Sequence, residues 1–198
     1  MGAAISDWRL ARAVSIEGQL GVVSGTGIDT VLVRRLQDGD ADGHMRRAML
    51  QFPIPGVATD ALRRFFRPEG RQQGTPYRLL PLPRQRLTRA RQQLMMLAAF
   101  VEVYLAKEGH TRPVGMNLLT KIQIPTLATL YGAMLAGVEV VLMGAGIPRE
   151  IPGALDALAR HEPASLRFEV EGLPGDRSEY LWLEPRDHWD AMPPPLRP

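Results

Sequence analysis

The sequence predicts an α/β fold built on a parallel sheet, and two stretches carry the prediction. Residues 113–152 hold two short apolar runs, Val114–Leu118 and Val138–Met143, around one helix-length segment. A third run, Leu20–Ser24, is followed by the turn Gly25-Thr26-Gly27 and by helical spacing from Thr30 to Gln37. Strands covered on both faces read as continuous apolar runs, as these do. In parallel α/β folds the ligand lies outside the carboxyl ends of the strands. Asn117 at one strand tip and Gly144–Pro148 at another are therefore the residues to question.

The other elements follow in chain order. Trp8, Leu10, Ala11, Val14 and Ile16 recur at helical spacing over Asp7–Gln19, with Ser6 placed to cap the helix and Gly18 to end it. Asp29 starts the next helix. Residues 38–85 are rich in Gly, Pro and Arg, and only two short helices, His44–Gln51 and Val57–Phe66, are expected there. A long helix from about Arg84 to Glu108 shows Leu87, Leu94, Leu97, Val101 and Leu105 along one face, with Met95 and Met96 as core filler. Gly109 ends it. Pro125 opens the helix inside the 113–152 unit, Gly137 stops it, and Pro148–Arg160 forms one more. Leu166–Glu171 alternates apolar and charged residues, Pro174-Gly175-Asp176 signals a turn, and Tyr180–Leu183 completes a surface hairpin at about 165–184. The tail from Met192 to Pro198 is mostly proline and gives no reason for a domain to end there. Three parallel strands are readable, whereas a (β/α)8 barrel needs eight strands and about 250 residues. The chain is either a small open α/β sheet or part of a barrel.

Composition narrows the function classes. The chain has 198 residues and no cysteine, which excludes disulfides, thiolate metal sites and cysteine nucleophiles. No basic leader precedes an apolar stretch, so the expected location is cytoplasmic. Met1–Ser6 fits the short myristoylation template, but a helix cap is the better use of Ser6. The most apolar stretch, Leu127–Met143, is interrupted by Glu139 and punctuated by Gly137, and reads as two soluble elements rather than a membrane span. Between Arg63 and Arg91 the only acid is Glu69, but aromatics are few and no nucleic-acid motif is present. A solvated or inter-element basic surface is expected, with neither nucleic acid nor membrane as partner.

Four segments in order, Trp8–Val14, Gly18–Val23, Gly115–Leu118 and Val140–Pro148, resemble the nitronate monooxygenase family, formerly called 2-nitropropane dioxygenases. These are FMN-dependent (β/α)8 barrels, and the resemblance runs discontinuously over most of residues 1–160. It implies that residues 1–198 are an incomplete TIM-barrel domain holding strands two to four, with a helical insertion at about 38–85 and an accessory hairpin. Met1 and Gly2 fall where the family has a flavin-packing turn, so the first strand would lie upstream. Asn117 matches the asparagine that hydrogen-bonds the flavin. Gly144–Pro148 matches the turn after the fourth strand, which places Gly144, Gly146 and Ile147 on the substrate side. Pro193–Pro198 would lead into the fifth strand. The family's catalytic histidine and FMN phosphate loops lie on strands six to eight. None of His44, His110, His161 and His188 falls at the catalytic position; all lie at helix ends or in loops, where surface residues are expected, and no catalytic base is named.

The implied activity is oxidation of alkyl nitronates, small-molecule substrates, by dioxygen with FMN as cofactor. One alternative is an FMN-dependent enoyl reductase of polyketide or fatty-acid synthesis, which would need a nicotinamide donor. The alternative of another class is a non-catalytic fragment or degenerate module that lacks the phosphate site and the base. Strands apolar on both faces with half a barrel absent would leave a sheet edge in water, so self-association is expected.

Individual residues have blander readings too. Asn117 at a strand end can simply cap the following turn. Gly25-Thr26-Gly27 lacks the third glycine of a dinucleotide fingerprint, so an ordinary strand–helix turn is expected. Lys121 and Gln123 either reach a ligand or face solvent. Gly144 and Gly146 permit close approach of a ligand or another backbone.

Overall fold

Asp7, not Ser6, opens the first helix of the computed structural model, which describes residues 2–168, 170 and 179–196. The Asp7 carboxylate accepts from the backbone N–H groups of Arg9 and Leu10 at 3.0 and 3.1 Å and so caps α1, Trp8–Ile16. Ser6 is drawn away by the first strand, β1 (Gly21–Ser24). Its hydroxyl donates to the Val22 carbonyl at 2.6 Å, and its own carbonyl accepts from Ser24 N–H at 2.8 Å. These bonds occupy an otherwise open sheet edge.

After β1 come α2 (Ile28–Gln37), α3 (His44–Met49) and α4 (Val57–Phe65), the last two being the short helices expected in the Arg-rich stretch. The long helix α5 spans Arg89–Lys107, five residues shorter at its start than the sequence suggests. Thr88 ends the irregular segment because its hydroxyl accepts from Arg91 N–H at 3.3 Å. The apolar stripe read from the sequence understates α5. Leu94–Val103 is buried without a break, because α1, α2, α3, α4 and α6 surround the helix. Met95 and Met96 are core residues, as expected.

β2 (Val114–Leu119), α6 (Thr126–Leu135), β3 (Val140–Gly144) and α7 (Ile151–Ala159) follow. Pro125 caps α6 from just outside it. Helices α5 and α6 cross in backbone contact at Gly132, where an added Cβ would sit 2.1 Å from the Met96 carbonyl oxygen. The three strands form one parallel sheet in the order β1-β2-β3, with Ser24 beside Asn117 and Asn117 beside Leu142.

Side chains alternate across the sheet. Gly21, Val23, Val114, Met116 and Leu118 face the helices, with Gly21 pressed so close to α1 that a Cβ would lie 1.9 Å from the Ala11 carbonyl. Val22, Gly115, Asn117 and Leu142 share the other face. Leu142 on the edge strand β3 is 37% exposed. Among the described residues no strand joins β3 back to β1, so the sheet is open. The architecture is mixed α/β, with a small parallel sheet and a small antiparallel one.

The antiparallel pair is β4 (Ala164–Phe168) with β5 (Glu179–Leu183). Its expected turn, Pro174-Gly175-Asp176, lies outside the described residues. Ala164, Leu166, Leu181 and Leu183 point into the core, whereas Tyr180 and Trp182 face solvent. A 3₁₀ turn, Pro185–His188, leads into the tail. That tail is anchored rather than loose, since Leu196 N–H donates to the Ala159 carbonyl at 2.8 Å. No helix among the described residues is long and apolar enough to cross a membrane.

Candidate functional site

The carboxyl ends of β1, β2 and β3 form one continuous edge, held by backbone bonds that run past the strands. Gly25 N–H donates to the Asn117 carbonyl at 2.8 Å. A Cβ on Gly25 would lie 2.7 Å from Leu118 Cδ2 and 3.0 Å from the Asn117 carbonyl oxygen, so a larger residue here would displace the Leu118 side chain. On the other side, Thr120 donates to the Gly144 carbonyl from both its N–H (2.9 Å) and its hydroxyl (3.0 Å). Gly146 lies against Thr120, with room for no side chain: a Cβ would be 2.2 Å from Oγ1.

Asn117 stands at the centre of this edge, 3% exposed. Its side-chain amide donates to the Leu142 carbonyl at 3.3 Å, across to β3 rather than into its own turn. The bond to β3 orients the side chain, while Gly25 N–H holds the Asn117 backbone carbonyl from the β1 side. Gly144–Pro148 rises beyond β3, with Ala145 in the left-handed region at φ 61° and Ile147 76% exposed. A left-handed alanine costs about 1–2 kcal/mol. Its strain is carried by a turn that presents an apolar side chain to solvent.

The N-terminal segment reaches the same edge. Ala3 Cβ lies 3.5 Å from where a Gly27 Cβ would be, and Gly2 is exposed next to Ile5. Met1 lies outside the described residues. Gly2, Asn117 and the Gly144–Ile147 turn thus share one end of the sheet without touching one another. Lys121 is exposed just beyond β2. Gln123 is used structurally, its amide donating to the Arg167 carbonyl at 2.9 Å.

The helix N-termini near this edge already hold acids. Asp29, in the first turn of α2, accepts from Thr30 N–H at 2.8 Å and pairs with Arg91 at 2.6 Å. Glu150, the cap residue of α7, accepts from Arg167 N–H at 2.9 Å. Neither helix has a side-chain bond from its N-cap residue, but each acid sets a negative charge close to a helix N-terminus. Gly25-Thr26-Gly27 forms the turn from β1 into α2, as expected.

The histidines are engaged elsewhere, and two of them overturn the expectation of surface positions. His44 lies against the Trp8 ring, and His110 contacts the Ala106 carbonyl at 2.7 Å. His161 and His188 are buried, at 3% and 2% exposure. His161 sits between Tyr131 and the Pro194 carbonyl; His188 has no hydrogen-bond partner at either ring nitrogen among the described residues. Also invisible in the sequence is Glu102 on α5. It accepts from Trp8 N–H at 2.8 Å and pairs with Arg35, tying α1 and α2 to the central helix. Burial raises the Glu102 carboxyl above its usual range, against the opposing pull of Arg35.

Among the described residues no group of three or more histidines and carboxylates is placed to hold a metal. Comparison of the chain with protein-family models, with curated proteins and with solved structures returns no match.

Proposed function

We propose that this chain supplies the second to fourth strands of an FMN-dependent barrel of the nitronate monooxygenase type, acting on alkyl nitronates with dioxygen. The observation that carries the reading is the position of Asn117: buried, on the middle strand, at the carboxyl end, and on the face away from the helices. That face carries Val22, Gly115 and Leu142, small or apolar groups suited to the interior of a barrel.

The described residues fit one end of the cofactor. Asn117 and Gly2 would border the flavin ring, Asn117 by its amide and Gly2 by letting the backbone approach. Gly144, Gly146 and Ile147 would border the substrate. The phosphate end fits poorly here, because Asp29 and Glu150 set negative charge close to the adjacent helix N-termini. When bound, FMN supplies the electron-accepting chemistry. This chain's own residues bind, orient and exclude water.

The acids near these helix ends favour a second reading for residues 1–198 alone: a non-catalytic module that lacks the phosphate site and the base. Visible absorption after FMN addition and desalting separates the two. Retained flavin bands, reduced in Asn117→Ala, would support a cofactor site. Nitronate-dependent oxygen uptake would then favour the monooxygenase, and NADPH consumption with an enoyl thioester the reductase. A colourless protein with unchanged FMN spectra would reject the cofactor site in this chain.

A further inference from the structure

A concavity lies away from the sheet edge, between α4, residues 78–88 and the start of α5. It has a volume of about 650 Å³, within the roughly 300–1,000 Å³ typical of small-molecule sites. Its apolar lining comes from Val57, Ala61, Phe65, Leu80, Leu87 and Leu94. Three of these, Val57, Ala61 and Leu94, are buried, so the floor is part of the packed core.

The charges around that floor are one-sided. Arg64, Arg84 and Arg86 line the groove, and none of the three has an ion pair or a side-chain hydrogen bond among the described residues. The other lining guanidinium groups are committed: Arg91 to Asp29, and Arg78 to the Arg64 carbonyl. The acid in the lining, Asp60, is paired with Arg63. Arg47 is paired with Glu108 and Arg160 with Glu162, so acids do neutralise arginines at other places on the surface. Here three unpaired cations surround an apolar cleft with Leu82, 90% exposed, at its lip. Guanidinium groups match carboxylate and phosphate oxygens in a planar fork.

We propose that this groove binds a small anionic amphiphile, a molecule with an apolar body and a terminal carboxylate or phosphate. The body lies on the Phe65–Leu80–Leu94 floor, and the head group meets Arg64, Arg84 and Arg86. The proposal is independent of the flavin reading, since it uses no residue of the sheet edge.

Isothermal titration of the full chain with dodecanoate, dodecyl phosphate, dodecanol and dodecyltrimethylammonium, each below its aggregation concentration, tests it. Saturable one-to-one binding of an anionic probe is expected, about tenfold or more tighter than dodecanol, on the scale of one charge-assisted hydrogen bond. The tighter of the two anions identifies the head group. Arg84→Ala and Arg86→Ala are at exposed sites and should each weaken binding by about tenfold with an unchanged melting temperature. Arg64→Glu adds a charge reversal on a different element. Equal affinity for dodecanol, unchanged affinity in all three variants, or binding only to anionic vesicles would overturn the proposal.

Discussion

The Tyr131 hydroxyl donates to Nδ1 of His161 at 2.7 Å, joining the middle of α6 to the second residue beyond α7. The direction follows from the neighbours. Trp189 Nε1–H can only donate, and it reaches the Tyr131 oxygen at 2.8 Å; the Pro194 carbonyl can only accept, and it lies 3.0 Å from His161 Nε2. His161 is therefore the Nε2–H tautomer, held in a left-handed backbone at φ 57° by bonds on both sides of its ring. Burial pushes the Tyr131 phenol up to about 12, against a smaller opposing effect of the Trp189 bond.

Tyr131→Phe would leave His161 Nδ1 and Trp189 Nε1 without their partner. A loss of about 1–3 kcal/mol is expected from urea unfolding, the usual cost of stranding buried polar atoms. The tail should become cleavable near Trp189 in limited proteolysis. A variant as stable and as resistant as the parent would show that the relay does not anchor the tail.

His188 makes stability depend on pH. Burial, and then the nearby Arg89 charge, lower its pKa from 6.5 to about 4. The unfolded imidazole takes up its proton near pH 6.5, the folded one only near pH 4. The unfolded state thus binds more protons in that window, and stability is lost as pH falls through it, by roughly 2 kcal/mol at pH 5. His188→Leu should remove this part of the loss between pH 7 and pH 5. Parallel pH profiles for variant and parent would refute the assignment.

Arg35 neutralises a buried acid. Arg35→Met leaves Glu102 without its cation and should cost about 3–5 kcal/mol at neutral pH. Because burial raises the Glu102 pKa above its unfolded value, protonation favours the folded state, so the penalty should shrink as pH falls. Adding Glu102→Gln should recover part of the loss at neutral pH. Equal penalties at pH 7 and pH 4.5 would argue against a charge effect.

The open edge of β3 predicts association between copies of the chain. Its residues are only partly buried, and Leu142 is on the face that no helix covers. Sedimentation velocity should show concentration-dependent species larger than the monomer, reduced by Leu142→Lys, since a lysine on an edge strand opposes pairing with another copy. A monomer at every concentration would defeat this prediction.

The α/β class, all three parallel strands and both strands of the hairpin were legible in the sequence. They depend on short-range patterns: apolar runs, glycine stops and alternation. Asn117 and Gly144–Pro148 were legible as strand tips for the same reason. The Ser6 cap was misread because two capping residues stand side by side, and only the distant Val22 carbonyl decides which is free to cap. Gly132 is an undistinguished helical glycine in the sequence and a backbone crossing point in space.

What the sequence determined by itself was the succession of elements, the absence of cysteine chemistry and the residues at the strand ends, because each rests on neighbours within a few positions. The burial of Glu102, His161 and His188, the unpaired arginines around an apolar groove and the anchoring of the tail were decided only by tertiary structure. Whether a polar group is paired, stranded or exposed is a property of partners brought from far along the chain, such as Tyr131 to Trp189 across 58 residues.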